Sequence, residues 1–180
     1  MSNPVREKWD QRYQQMAGSD TPPASILPHY RQLIPSAGRA LELACGLGAN
    51  ALYLASLGLE VDAWDISTVA IEKLEQAAVG QGLVVHTRVC DLLEVRLETN
   101  HYDLIIVSRF LQRELCPAMA AALKPGGVLF YQTFTTRRDK GPSNPDFLLQ
   151  PGELPSLFAG LEVLVYQEGE EDTLVARKGA

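Results

Sequence analysis

The chain has little of what marks several function classes. It carries only three cysteines, Cys45, Cys90 and Cys116, and three histidines in 180 residues. These are too few and too scattered for a disulfide framework or a zinc site, so no metal is expected. No apolar run approaches the ~20 residues needed to span a bilayer. The opening segment, MSNPVREKWDQRYQQ, is polar and lacks the apolar core of a signal peptide. There is no long basic run: 16 Lys and Arg face 22 Asp and Glu, for a formal charge of −6 and a pI near 5.1. That balance excludes a broad nucleic-acid footprint. The expectation is a cytoplasmic protein without nucleic-acid or membrane partners.

What is present is an ordinary globular composition, 46% hydrophobic and 21% charged, in a length that suits one domain with its own core. Val5, Trp9, Tyr13 and Met16 recur at helical spacing, and GSDTPPAS ends that pattern. A second short helix is expected around Ile26 to Leu33. An alternation follows: strand RALELA, helix NALYLASLG closed by Gly58, strand LEVDAWD, then helix VAIEKLEQAAVG capped by Ser67 or Thr68. LVVHTRV and YDLIIVS are further strands, Pro117 opens a helix, and KPGG turns the chain into VLFYQTF. Strands alternating with helices at this spacing imply a doubly wound, mostly parallel sheet. GLEVLVYQEG and DTLVARKG are separated only by the acidic stretch Glu168 to Asp172, too short for a parallel crossover. They must pair antiparallel. The fold class is therefore α/β, with a seven-stranded sheet ending in an antiparallel hairpin.

The stretch ELACGLGAN carries the chemistry. Small residues at Ala44, Gly46 and Gly48 let the backbone turn sharply and let a ligand approach closely. The helix that follows presents free N–H groups to an anionic group. Asp65 ends the second strand, where doubly wound folds place a carboxylate that accepts from ribose hydroxyls. A nucleoside-containing ligand is indicated. The glycine spacing also suits a dinucleotide, since Gly46, Gly48 and Ala51 satisfy G-x-G-x-x-A. Glu42, inside the preceding strand, disfavours a nearby pyrophosphate and favours an ammonium group, and the terminal hairpin departs from a simple parallel continuation.

LELACGLGANALYLASLGLEVDAWDIS, followed by CDLLE, YDLIIVSRFL and LKPGGVLFYQTF, resembles the class I S-adenosylmethionine-dependent methyltransferases over roughly Trp9 to Arg177. The narrower resemblance is to the small group that includes the tellurite-resistance methyltransferase. The resemblance implies a Rossmann-like methyltransferase fold with S-adenosylmethionine as cofactor. It places Glu42 near the methionine ammonium and Ala44, Cys45, Gly46 and Gly48 beneath the methionine and ribose. Asp65 would bind the ribose hydroxyls and Ile66 would pack on the adenine. Asp91 would take the adenine amino group with Cys90 and Leu92 beside it, and Val107 and Ser108 would lie near the reactive methyl. Ala44 stands where the family's first turn glycine is usual, a replacement compatible with a negative φ.

KWDQRY is similar to the segment that covers the cofactor in related small methyltransferases, so Arg12 is expected to reach the ligand carboxylate while Trp9 and Tyr13 pack on the domain or line the substrate pocket. The chain then divides into a helical lid (1–36), a cofactor core (37–134), and a substrate loop with hairpin (135–180). In the last part, Phe134, Asn144 and Phe147 are candidate substrate-wall residues. Arg109, with Arg113, Arg137 and Arg138, is expected to make the mouth cationic. No catalytic base is assigned, because displacement at a sulfonium needs mainly positioning and exclusion of water. The partner is a small methyl acceptor, with a thiol or chalcogen oxyanion favoured, and the protein is a monomer or homodimer. The alternatives are a nicotinamide-dependent oxidoreductase and a catalytically silent cofactor-binding module.

Overall fold

Successive side chains of a strand point to opposite faces of its sheet, so a strand covered on both sides must be apolar almost throughout. RALEL and YDLIIVS meet that demand and become β1 (Arg39–Leu43) and β4 (Tyr102–Ser108), neighbours in the middle of the sheet. The computed structural model describes residues 3–16 and 21–180. Around the central pair lie β2 (Glu60–Asp65), β3 (Val85–Val89), β5 (Leu123–Phe134), β6 (Glu162–Gln167) and β7 (Glu171–Arg177), in the order β3-β2-β1-β4-β5-β7-β6. The first five strands run parallel, and β7 is antiparallel to both β5 and β6, as the short acidic connection requires.

The alternation sorts the core into two layers. Leu41, Leu43, Ile105, Val107, Leu129 and Tyr131 face α5 (Cys116–Ala122) and α6 (Glu153–Leu157). Ala40, Ala63, Leu104, Ile106 and Phe130 face α2 (Ile26–His29), α3 (Ala49–Ser56) and α4 (Thr68–Gly80). Glu42, between Leu41 and Leu43 in sequence, is thereby aimed at the α3 side. Ser67 caps α4, its side chain accepting from the Ala70 N–H. Among the described residues no helix is long and apolar enough to cross a membrane.

Three sequence expectations are modified, and a fourth falls partly outside the described residues. The helix expected over residues 26–33 divides into α2 and a 3-10 turn at Arg31–Leu33. KPGG lies within the bounds of β5, where its pairing with β4 shifts register between Tyr102↔Leu123 and Leu104↔Val128. Gly18 to Asp20, part of the expected break after the first helix, lie outside the described residues. The third modification concerns Ala44, which adopts φ 53, the left-handed region, rather than a negative φ. A Cβ in that region crowds the following carbonyl at a cost of about 1–2 kcal/mol. Ala44 keeps the conformation because Cys45 N–H is held by the Trp64 carbonyl at 3.1 Å and Gly46 N–H by Asp65. Elsewhere an Ala→Gly change inside an element costs roughly 1 kcal/mol. Ala44→Gly is expected instead to leave stability unchanged or raise it by up to about 1 kcal/mol. Urea unfolding checks this, and a loss of stability would show that the turn is unstrained.

Candidate functional site

The strand order reverses direction between β1 and β4, and open α/β sheets bind ligands outside the carboxyl ends of strands at such a point. Ala44–Gly48 and Ser108–Arg109 meet there. Gly46 (φ 53) and Gly48 (φ 75) both hold left-handed backbone. A Cβ on Gly48 would stand 2.2 Å from Leu74, so glycine is what allows the turn to sit against α4. A Cβ on Gly46 would stand 2.6 Å from the Tyr13 hydroxyl. The turn is thus open to close approach, and in this structure a polar side chain makes that approach.

Asp65 ties the turn to the second strand. Its Oδ2 accepts the Gly46 N–H at 2.7 Å and its Oδ1 accepts the Ser67 N–H at 2.8 Å. Burial raises its carboxyl above the usual range, and these two bonds pull it partly back. Asp91 follows β3; its Oδ1 accepts the Leu93 N–H and its Oδ2 the Asn3 side-chain amide at 3.3 Å. Cys90 N–H donates to the Asp65 carbonyl at 2.9 Å, which brings the CDLLE stretch to the same edge. Leu92 and Val107 are buried, while Ile66 and Ser108 are half-buried. Burial pushes the Cys45 thiol well up and the Cys90 thiol up, so both behave as small apolar groups.

Glu42 is 3% exposed. Its carboxylate accepts from Asn50 Nδ2 at 2.7 Å and from the Ala51 N–H at 2.8 Å. Asn50 Oδ1 in turn accepts the Ala24 N–H at 2.7 Å, so Glu42 links β1, the start of α3 and the segment before α2. Burial pushes its carboxyl up to about 8, against the pull of the two donors and with a further push from Asp65.

The first helix, α1 (Pro4–Gln14), lies over this edge. Asn3 caps it and also reaches Asp91, and Arg6 Nε donates to the Ile66 carbonyl at 3.0 Å. Asp10 accepts from the Ser67 hydroxyl and the Val69 N–H at the start of α4. Lys73 Nζ holds the other end through the Tyr13 and Met16 carbonyls. Trp9 stacks on Tyr13 with ring centroids 5.7 Å apart, and burial raises the Tyr13 phenol. Arg12 is exposed and rests over the Trp9 ring at 5.2 Å rather than over the turn. A cavity of about 520 Å³ opens at the opposite, amino-terminal edge beside Arg39, Asp103 and Lys124. Its charged groups are paired with one another or with Asp62, and none of the sequence-designated residues lines it.

Three of the four arginines expected at the mouth are ion-paired. Arg109 Nε donates to Glu171 at 2.7 Å and its guanidinium covers the Phe134 ring at 5.6 Å. Arg137 pairs with Glu168 at 3.0 Å and Asp172 at 3.5 Å. Arg113 is bound to Glu153 and to the Asp146 and Leu148 carbonyls, so it staples the 135–152 loop. Asn144 caps a short 3-10 turn on that loop and is exposed, as is Phe147 at 46%. Neither is brought to the turn; of the three wall candidates only Phe134 joins Arg109. Sequence reasoning missed Asn3, Asp10, Asn50 and Glu171. The Asn3-Pro4 pair was a readable helix start, but what the other three touch depends on tertiary pairing.

A family model described as tellurite resistance protein TehB matches residues 28–174. The chain belongs to the TehB family. A curated relative from Haemophilus influenzae, named a probable S-adenosyl-L-methionine-dependent methyltransferase TehB, is 31% identical over 138 residues. That match covers 72% of this chain and 48% of the relative, so the chain spans about half the length of the curated protein it matches. The solved TehB of H. influenzae superposes with a TM-score of 0.74 at 23% identity, covering 96% of this chain and 66% of that one. A solved structure concerned with converting a disulfide bond into a thioacetal group in echinomycin biosynthesis superposes with a TM-score of 0.77 at 22% identity, covering 97% and 92%. These solved structures support the fold.

The Glu42 carboxyl, raised in the native state, holds its proton to higher pH than in the unfolded chain. The native state then binds more protons between the two values, so stability falls as pH rises through that window. The urea midpoint is expected to decline between about pH 5 and 8, and Glu42→Gln to flatten the decline. An identical slope in the variant would contradict the assignment.

Proposed function

We propose that this chain is an S-adenosylmethionine-dependent methyltransferase acting on a small-molecule acceptor. The observation that carries the reading is the glycine turn bonded to the buried Asp65 carboxylate at the switch point of a TehB-family sheet. The residues fit this cofactor. Gly46 leaves room for close approach, and Asp65 and Asp91 offer carboxylates spaced along one edge, on β2 and after β3. Bound S-adenosylmethionine supplies an electrophilic methyl group on a sulfonium.

The chain's own residues bind and orient. Asp65 accepts the ribose hydroxyls while keeping the Gly46 and Ser67 N–H groups, and Ile66 packs on the base. Asp91, with Cys90 and Leu92 beside it, receives the adenine amino group in place of the Asn3 amide. Ala44, Cys45, Gly46 and Gly48 support the methionine and ribose. Glu42, with both oxygens already engaged and its carboxyl holding its proton up to about 8, ties β1 to the start of α3 beneath the methionine end rather than offering a free ligand oxygen. The helix α1 excludes water from above, and Tyr13 vacates the space over Gly46. Val107 and Ser108 border the acceptor side. Methyl transfer then needs donor and nucleophile held in line, which accounts for the lack of an assigned base. The lid at 1–36, the core at 37–134 and the loop with hairpin at 135–180 divide this work within one domain. A thiol and a chalcogen oxyanion both suit a small acceptor site on this reading.

Asp65→Ala is expected to weaken binding of S-adenosylhomocysteine by about 1–3 kcal/mol, the cost of losing a buried charged acceptor. Calorimetric titration checks it, and an unchanged affinity would remove Asp65 from the site.

A further inference from the structure

The sheet ends on β6, whose outer edge no other strand of the chain covers. Among the described residues, β7 is the only element in extensive contact with β6. Among the same residues, no hydrogen bond outside the β6–β7 ladder involves a backbone group of Glu162–Gln167. Six residues therefore present a row of open N–H and C=O groups, a template for pairing with another strand. The sequence EVLVYQ carries neither the Lys nor the Pro by which sheet edges are commonly blunted, and its one charge sits at the end. Val163 on this edge is 46% exposed.

Val163 lies opposite Ala176 and Tyr166 opposite Leu174, so both face the layer that packs on α5 and α6. Val165 lies opposite Val175 in the other layer, and Leu164 packs with that layer too. Glu162 and Gln167, opposite Arg177 and Thr173, share this second face. In a regular strand, residues three apart point to opposite faces. The register shift between Val163 and Val165 is a bulge that brings Val163 and Tyr166 onto one face. Two copies of a strand related by a two-fold axis must oppose residues of the same face. With the axis between Leu164 and Val165, Val163 of one copy meets Tyr166 of the other, Leu164 meets Val165, and Glu162 meets Gln167. No like charges are opposed in this register.

The opposite edge of the sheet is less suited. β3, VHTRV, pairs with β2 without a bulge, so a two-fold axis must pass through one of its residues. Axes through His86, Thr87 or Arg88 set His86 against itself, His86 against Arg88, or Arg88 against itself. Each opposes basic side chains and disfavours pairing. We propose that β6 is the interface of a homodimer in which two copies of this chain pair antiparallel along Glu162–Gln167. The two sheets then join into one, the open backbone groups are satisfied, and the Tyr166 ring of each copy covers Val163 of the other.

Sedimentation of the full chain tests this. One strand per copy is a small interface, so the mass is expected to rise from 19.8 kDa towards twice that value across about 1–200 µM. Val163→Lys is expected to hold the chain at the monomer mass with an unchanged circular dichroism spectrum. Val84→Lys, at a valine 72% exposed beside β3, is expected to dimerise as the unaltered chain does. Cross-linking gives a second measurement that does not depend on Val163→Lys folding. Opposed residues hold their Cβ atoms about 4.5–5.5 Å apart, close enough for a disulfide. Glu162→Cys mixed with Gln167→Cys is expected to give a disulfide-linked dimer on mild oxidation, and either variant alone to give none. The native cysteines are buried and add no background. A monomer at every concentration, a dimer that persists in folded Val163→Lys, loss of the dimer in Val84→Lys, or no cross-link specific to the mixture would overturn the proposal.

Discussion

The buried carboxylate of Asp65 is the interaction on which the rest of the site depends. One oxygen fixes the Gly46 N–H and the other the Ser67 N–H, so a single side chain sets the first turn of the sheet and the start of α4 together. A charged group held this far from water is tolerable only when its oxygens are bonded. Such a carboxylate is also a strong acceptor for further donors at the same edge. The strained Ala44, the left-handed Gly46 and Gly48, and the Asp10 and Ser67 contacts of α1 are arranged around it. The turn is rigid because it is cross-linked to the neighbouring strand, and the glycines are what make that cross-link sterically possible.

Two carboxylates near this turn do different work because their partners differ. Asp65 is bound by backbone N–H groups and faces the edge, whereas Glu42 is enclosed by Asn50 and the start of α3. Glu42 joins three elements, and its burial keeps the carboxyl protonated to higher pH than an ordinary glutamate. The helix α1 closes the edge from above, using Asn3, Arg6 and Tyr13 against Asp91, Ile66 and Gly46. These are the groups through which a nucleoside cofactor would be held, so the cover and the ligand compete for the same surface.

Much of the fold was legible in the sequence because its signals are local. Apolar runs, Gly and Pro breaks and the Ser67 cap placed the strands and helices, and connection length alone required β6 and β7 to be antiparallel. The turn and Asp65 were legible because their spacing reflects one strand–helix–strand unit. What could not be read is non-local. The conformation of Ala44 is imposed by Trp64 and Asp65 from another strand. The arginines looked cationic in isolation, but Glu171, Glu168 and Glu153 reach them only after the hairpin and α6 are in place. Arg12 lies on Trp9 for a similar reason: docking of α1 decides which of its faces is solvated.

The central claim is that the turn held by Asp65 is a methyl-donor site and not a dinucleotide site. Calorimetric titration of the full chain with S-adenosylhomocysteine and, separately, with NAD tests it most directly. The account predicts saturable binding of S-adenosylhomocysteine and none of NAD. Saturable binding of NAD with no binding of S-adenosylhomocysteine would contradict it.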